Sequence, residues 1–323
     1  MQQRPLGRSG LVVSRLALGT MTWGRDTDAD DAAAQLKTFR EAGGTLLDTA
    51  DVYGDGDAEA VIGTLLDALV AREELVIASK AGLRPGPGRR RDASRGHLLR
   101  TLDTTLARLG TDYLDLWHLH GYDNDTPLDE SLAAIDTAVA SGRVRYAGIS
   151  NFTGWQTARA ATWQQAWPGR TPLISAQVEY SLLERGVERE VLPACAALGL
   201  GALAWSPLGR GVLTGKYRTG VPADSRAASP HFERFLAPYL DGRSAGIVEA
   251  VVTAAGGLGV SPLAVALAWV RDRPGVVAPV LGARTVGQLV GALQAEDVRL
   301  PPEIGAALDD VSSPISGYPE RQT

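Results

Sequence analysis

Eight short apolar runs, each trailed by an amphipathic segment, recur along this chain at a spacing of about 30 residues. They cover residues 15–19, 45–48, 75–79, 114–119, 146–149, 173–178, 201–205 and 276–281. The intervening patterns read as helices with glycine stops: 30–42 ends at Gly43-Gly44, 94–109 at Gly110, and 128–140 near Gly142. Strand and helix alternating eight times predict a (β/α)8 TIM barrel. A doubly wound sheet is the alternative, but no Gly-rich phosphate loop opens a βαβ unit here. The 323 residues suffice for one such barrel with additions, and no linker divides residues 1–323 into domains.

The additions can be read as well. Residues 5–13, with Gly7 and Ser9-Gly10 between apolar positions, predict a hairpin before the first barrel strand. Residues 209–242 form a long Gly-, Pro- and Ser-rich loop after strand seven, on the face where barrels carry their chemistry. The run RPGPGRRRD (residues 84–92), after strand three, reads as a solvated loop rather than an anion site. The polar tail 313–323 reads as poorly ordered or lying over the barrel mouth.

Charge excludes some partners. Thirty-two basic against 37 acidic residues give a net −5, which suits neither nucleic acid nor an anionic membrane. The single cysteine, Cys195, excludes an internal disulfide framework and fits a reducing compartment. The start, MQQRPLGRSG, has no apolar signal core, and no stretch approaches the ~20 apolar residues that span a bilayer. The expectation is a cytoplasmic protein.

Chemistry gathers where the strands end. Asp48 closes strand two in LLDTADVYG, Tyr53 follows in the next loop, Lys80 ends strand three, and His120 ends DLWHLH in strand four. Strand ends of a barrel converge on one mouth, so these four can meet. A phenol is a poor acid at neutral pH, with an ordinary pKa near ~10. An adjacent ammonium stabilises the phenolate and lowers that value, and a carboxylate holds the ammonium in place. An imidazole can donate to a carbonyl oxygen as charge builds there. Together they suit proton transfer to a carbonyl during reduction. His118 shares a strand face with His120, and His-x-His can begin a metal site. Strands five to eight supply no further histidine, so no metal is expected and His118 reads as a barrel-interior residue.

These residues resemble the aldo-keto reductase superfamily. The resemblance runs through nearly the whole chain, in order: LGT (residues 18–20), LLDTADVYG, SK (79–80), DLWHLH, GISN (148–151), QVEYSLLER (177–185), AWSPLGRGVLTGKY (204–217) and GARTVGQLVGAL (282–293). It implies a (β/α)8 barrel, an NADP(H) cofactor held without a Rossmann domain, and a tetrad of Asp48, Tyr53, Lys80 and His120. Tyr53 is then the general acid of carbonyl reduction and the base of alcohol oxidation. Gly19 and Thr20 of the LGT motif fall among the cofactor positions. Ser150, Asn151 and Gln177 match the partners of the nicotinamide carboxamide, and Trp205 the aromatic that stacks on the nicotinamide. Ser206, Leu208, Gly209 and Lys216 match the loop over the pyrophosphate. Gly282, Arg284 and Gln288 match the segment facing the adenosine 2′-phosphate. Gly291 and Ala292 stand where many members carry an acid and an asparagine that grip the adenine, which removes that grip. The alternative within the same superfamily is a nicotinamide-cofactor-sensing protein with little turnover, like potassium-channel beta subunits.

The resemblance implies a small carbonyl or alcohol compound as substrate. Trp23, Tyr122, Phe232, Phe235 and Tyr239 lie in the variable loops and offer an apolar wall, with Trp23 and Tyr122 as the substrate candidates. The sequence leaves the physiological substrate, the preferred direction and the oligomeric state open.

Overall fold

The computed structural model of the protein describes residues 1–84, 90–218, 220, 236–314 and 317. In chain order the elements are β1 (Gln3–Pro5), β2 (Val12–Ser14), β3 (Ala17–Gly19), α1 (Ala29–Glu41), β4 (Leu46–Asp48), α2 (Asp57–Leu65), β5 (Val76–Ala81), α3 (Arg95–Leu109), β6 (Leu114–Leu119) and α4 (Leu128–Ala140). They continue with β7 (Val144–Ser150), α5 (Gly154–Gln165), β8 (Leu173–Glu179), α6 (Val191–Leu198), β9 (Gly201–Trp205), α7 (Gly242–Leu258), α8 (Pro262–Arg271), β10 (Val276–Gly282), α9 (Val286–Leu293) and α10 (Pro302–Val311). Strands β3 to β10 close into a parallel barrel, β10 returning to β3 with Gly282 opposite Gly19. This is the (β/α)8 barrel expected from the spacing.

Each expected strand falls on an observed one. The first starts late, at Ala17, because Arg15 is drawn outward: its Nε donates to Glu296 Oε2 at 2.7 Å and its backbone N–H to Gln2 O at 3.0 Å. Helix α1 illustrates why the helices form. Ala32, Gln35, Leu36 and Phe39 recur at helical spacing and are the residues it buries. Asp28 caps its start, accepting from Asp31 N at 2.9 Å.

Strand periodicity sorts the barrel into layers. Leu47, Ile77, Trp117 and Ile149 point outward and pack among the flanking helices. Their neighbours Leu46, Ala78 and Leu116 point inward as an apolar floor, together with Leu203. One step higher on the same inward face come Asp48, Lys80 and His118. The hairpin β1–β2 seals the floor from below, with Leu6 and Val13 fully buried against it. Its strands pair further out than residues 5–13, Gln3 opposite Ser14. Gly7 turns it at φ +59°, where a Cβ would lie 2.3 Å from Ile174 O.

Of the long segment after β9, Gly209–Thr214 and Ala237–Tyr239 form 3-10 turns. His231, Phe232 and Phe235 lie outside the described residues, as does most of the tail. No single helix among the described residues is long and apolar enough to cross a membrane.

Candidate active site

The barrel register brings two of the four expected catalytic residues, Asp48 and Lys80, to adjacent levels of the inward face. Asp48 lies opposite Ala78, so Lys80 stands one inward step above it on β5, and His118 is opposite Lys80 on β6. His120 follows just past the end of β6, its backbone N–H donating to Ala81 O at 2.8 Å. Tyr53 opens a 3-10 turn after β4 that places its ring back over the mouth.

Lys80 is the hub. Its Nζ donates to Asp48 Oδ2 at 2.9 Å, to Thr49 O at 2.7 Å and to Tyr53 Oη at 3.2 Å. Only 1% of Lys80 is exposed, so water offers the ammonium little competition. Burial alone would depress its pKa, but Asp48 and Tyr53 more than offset that and hold it above the ordinary value. The His120 ring meets the Tyr53 ring edge-on, centroids 6.1 Å apart. Burial, with Lys80 as the next cause, pushes His120 well below its usual range, so the imidazole is neutral.

Tyr53 departs from the sequence expectation in sign. Burial raises the phenol above its ordinary pKa, and Lys80 pulls it back without overcoming that. The resting group is therefore a protonated phenol with an ammonium beside it to receive its charge. His118 lies deeper. Its Nε2 is 2.9 Å from Ser175 Oγ, and burial, then Lys80, takes its pKa to about 3. Gly148 makes room for that contact: a Cβ there would be 2.3 Å from Ser175 Oγ and 2.6 Å from His118 Cδ2. Among the described residues no group of three His, Cys, Asp or Glu could hold a metal ion.

A second layer supports the hub, and the sequence did not reveal it. Glu59 of α2, fully buried, accepts from Ser79 Oγ at 2.8 Å, Thr105 Oγ1 at 3.0 Å and Arg108 Nη1 at 3.3 Å. Arg108 also donates to Asp51 O at 3.1 Å, tying α3 to the segment between Asp48 and Tyr53. Asp51 itself keeps a buried Oδ1 with no hydrogen-bond partner, and burial, then Glu59, pushes its carboxyl up to about 7.

A family model described as the aldo/keto reductase family matches residues 15–313. The chain belongs to the aldo/keto reductase family. It is 38% identical to the uncharacterized oxidoreductase YrpG of Bacillus subtilis (strain 168), over 96% of each chain. It is 36% identical to a probable voltage-gated potassium channel subunit beta of Oryza sativa subsp. japonica, over 99% of this chain and 98% of that one. It is 34% identical to the L-glyceraldehyde 3-phosphate reductase of Escherichia coli (strain K12), over 91% of this chain and 87% of that one.

Aldo/keto reductases use nicotinamide cofactors, and the donor set at this mouth fits one. Trp205, at the end of β9, is half-buried and donates its indole N–H to Asn151 Oδ1 at 3.0 Å, while Asn151 Nδ2 donates to His120 O at 3.0 Å. Asn151 holds φ 58°, and Ser150 beside it is buried. After β9, Ser206 takes φ 51° and Gly209 φ 53°, which curls Leu208 and Gly209 into a tight turn. A Cβ on the next glycine, Gly211, would lie 3.4 Å from Lys216 Nζ, so an ammonium sits over that turn. Arg284 stands just before α9, its backbone N–H donating to Gln288 Oε1 at 2.8 Å and its carbonyl accepting from Thr27 Oγ1 at 3.2 Å. Two cations and a helix N-terminus suit a phosphate-bearing dinucleotide. Glu179 and Tyr239 brace the same aldo/keto reductase loop through Arg210, whose guanidinium donates to both Glu179 oxygens, at 3.1 and 2.9 Å.

The remaining expected residues make the following contacts. Gln177, expected to face the cofactor amide, donates its Nε2–H to Asp48 Oδ1 at 2.7 Å. Thr20, expected at the cofactor, donates its hydroxyl to Asp48 O at 3.1 Å, while Gly19 and Gly282 end paired strands. Trp23 does not line an open wall: it has no exposed surface, and its indole N–H donates to Gln35 Oε1 of α1 at 3.2 Å. Tyr239 is also buried, its hydroxyl donating to Glu179 Oε1 at 2.9 Å. Tyr122 remains half-buried near the mouth, edge-on to Phe152 and to the exposed Trp155, which the sequence reading passed over.

Proposed function

We propose that this protein reduces an aldehyde or ketone to the alcohol with NADPH, and can run the reaction in reverse. The observation that carries this is Lys80 Nζ standing between Asp48 Oδ2 and Tyr53 Oη, 2.9 and 3.2 Å away, beside a neutral His120. A nicotinamide cofactor held at this mouth would supply the hydride for the carbonyl carbon. Tyr53 gives its Oη proton to the carbonyl oxygen as negative charge gathers there. The phenolate left behind is stabilised by Lys80, which Asp48 holds in position, Asp48 in turn accepting from Gln177. His120, being neutral, adds a second hydrogen bond to the same oxygen without adding a proton. Trp205, Ser150 and Asn151 would hold the nicotinamide, and Lys216 and Arg284 the phosphates. Arg284, with no acid between Gly282 and Leu293, favours NADPH over NADH. A cytoplasmic location goes with this reading, since the one cysteine, Cys195, is buried and free.

A steady-state assay following NADPH loss with 4-nitrobenzaldehyde tests it. Wild type turns over, and Tyr53→Phe, which keeps the ring and removes the proton, loses ~10²–10⁴-fold in kcat. Wild-type turnover in that variant sinks the assignment of Tyr53. The likeness to a protein named as a channel beta subunit supports a second reading, a cofactor-binding protein with little turnover. Tight NADPH binding with no reduction of any aldehyde would favour it.

A further inference from the structure

The run RPGPGRRRD was read from sequence as a solvated loop, and Arg91 departs from that. Its backbone bridges antiparallel to Leu83, and Asp92 N donates to Gly82 O at 3.0 Å, so the returning arm of the β5–α3 connection is fixed against the barrel mouth. The side chain is half-buried, and Nη1 donates to Tyr122 O at 2.6 Å. The guanidinium lies against Gly121, the residue after His120: a Cβ there would be 3.0 Å from Arg91 Cζ and 3.1 Å from Nε. A side chain at position 121 would crowd the guanidinium, so the glycine eases the cation's approach to the residue beside His120.

The acids nearby are engaged elsewhere. Asp92 faces Arg84 at 3.6 Å and accepts from Ser94 N at 3.1 Å. Asp123 accepts from Ala93 N at 2.8 Å, Asp125 N at 3.1 Å and Thr126 Oγ1 at 2.7 Å. Among the described residues no carboxylate pairs with Arg91. A guanidinium carries five N–H donors in a planar fork matched to an oxyanion, and here a single one is used. A partly desolvated cation with spare donors and no counter-charge favours an incoming anion.

We propose that Arg91 is an anion-recognition residue of the substrate site, binding a carboxylate or phosphate carried by the carbonyl substrate whose reacting oxygen meets Tyr53 and His120. This rests on the reductase reading above and narrows its substrates to anionic aldehydes or ketones.

Matched pairs test it: succinic semialdehyde against butanal, and glycolaldehyde phosphate against glycolaldehyde. The readout is the anionic-to-neutral ratio of kcat/KM within one protein, which cancels any loss of folded enzyme. In Arg91→Ala the ratio falls about 10- to 100-fold for at least one pair, as loss of a charged hydrogen bond requires, and the fall is carried by KM. Arg91→Lys regains part of it, and Arg91→Glu reverses the preference. The pair with the larger fall identifies the anion as carboxylate or phosphate. A ratio unchanged in Arg91→Ala for both pairs overturns the proposal. Wild type that reduces none of the four overturns the reductase reading instead, and this inference with it.

Discussion

Lys80 shows how one buried residue sets the chemistry of its neighbours. A buried ammonium is costly unless paired, and Asp48 at 2.9 Å supplies the pairing that keeps it charged. On the proposed mechanism the charged ammonium, 3.2 Å from Tyr53 Oη, would stabilise the phenolate left when Tyr53 gives up its proton. Lys80→Met and Asp48→Asn should therefore each cut kcat by about 10²-fold or more, and the double variant should lose less than the product of the two. Strict multiplicativity in single-turnover rates would deny that they act as a unit. Asp51 makes a different case. Its folded pKa, raised from 3.8 to about 7, means the folded state holds a proton that the unfolded chain gives up. That contribution to stability is complete below the unfolded pKa and is lost as pH rises through the folded one. Asp51→Asn removes the titration, so it should gain stability relative to wild type between about pH 5 and pH 8. Urea unfolding at the two pH values measures this; an equal gap at both contradicts it.

At the scale of elements, the connections at the mouth divide the work. The β9 turn is held by Glu179, Arg210 and Tyr239, which fixes the backbone around Trp205 and Lys216. The start of α9 adds a helix N-terminus capped by Thr285, with Arg284 in front of it. A guanidinium there can make two charge-assisted bonds to a phosphate, each roughly 1.5–3 kcal/mol. On the NADPH reading, Gly291, with open space where a side chain would be, and Ala292 would offer the adenine no polar grip, and the phosphate would carry more of the affinity. Arg284→Ala should thus weaken NADPH far more than NADH, and added salt should mimic part of the loss. Quenching of tryptophan fluorescence by each cofactor reads both affinities, and equal losses would remove the 2′-phosphate role.

Across the whole molecule the barrel separates stability from chemistry. Its floor is apolar and sealed by the β1–β2 hairpin, while its upper layer is polar and paired. Leu6→Ala leaves a cavity at the floor and should cost ~2–5 kcal/mol in denaturant unfolding. Turnover per folded molecule should hold, because the site lies at the other end. A matching loss of kcat at full folding would show that the two ends are coupled.

The barrel was legible in the chain because its signals are local. Apolar runs, helical spacing and glycine stops each act within one element, so each of the eight expected strands overlaps an observed one; the first begins late, at Ala17, with Arg15 held by Glu296. The gathering of these residues was legible for a related reason: strand ends share one mouth, so Asp48, Lys80 and His120 could be brought together without knowing any side-chain contact. What the chain alone did not decide were pairings between distant elements. Gln177 reaches Asp48 across 129 residues, Trp23 is claimed by Gln35, and Glu59 gathers Ser79, Thr105 and Arg108 from two other elements. The sign of the Tyr53 shift likewise depended on how deeply the ring is buried, and Arg91 left its solvated run through contact with Gly121 and Tyr122. Periodicity determined the scaffold by itself; which polar groups meet, and how far from water, was settled only when the strands closed into a barrel.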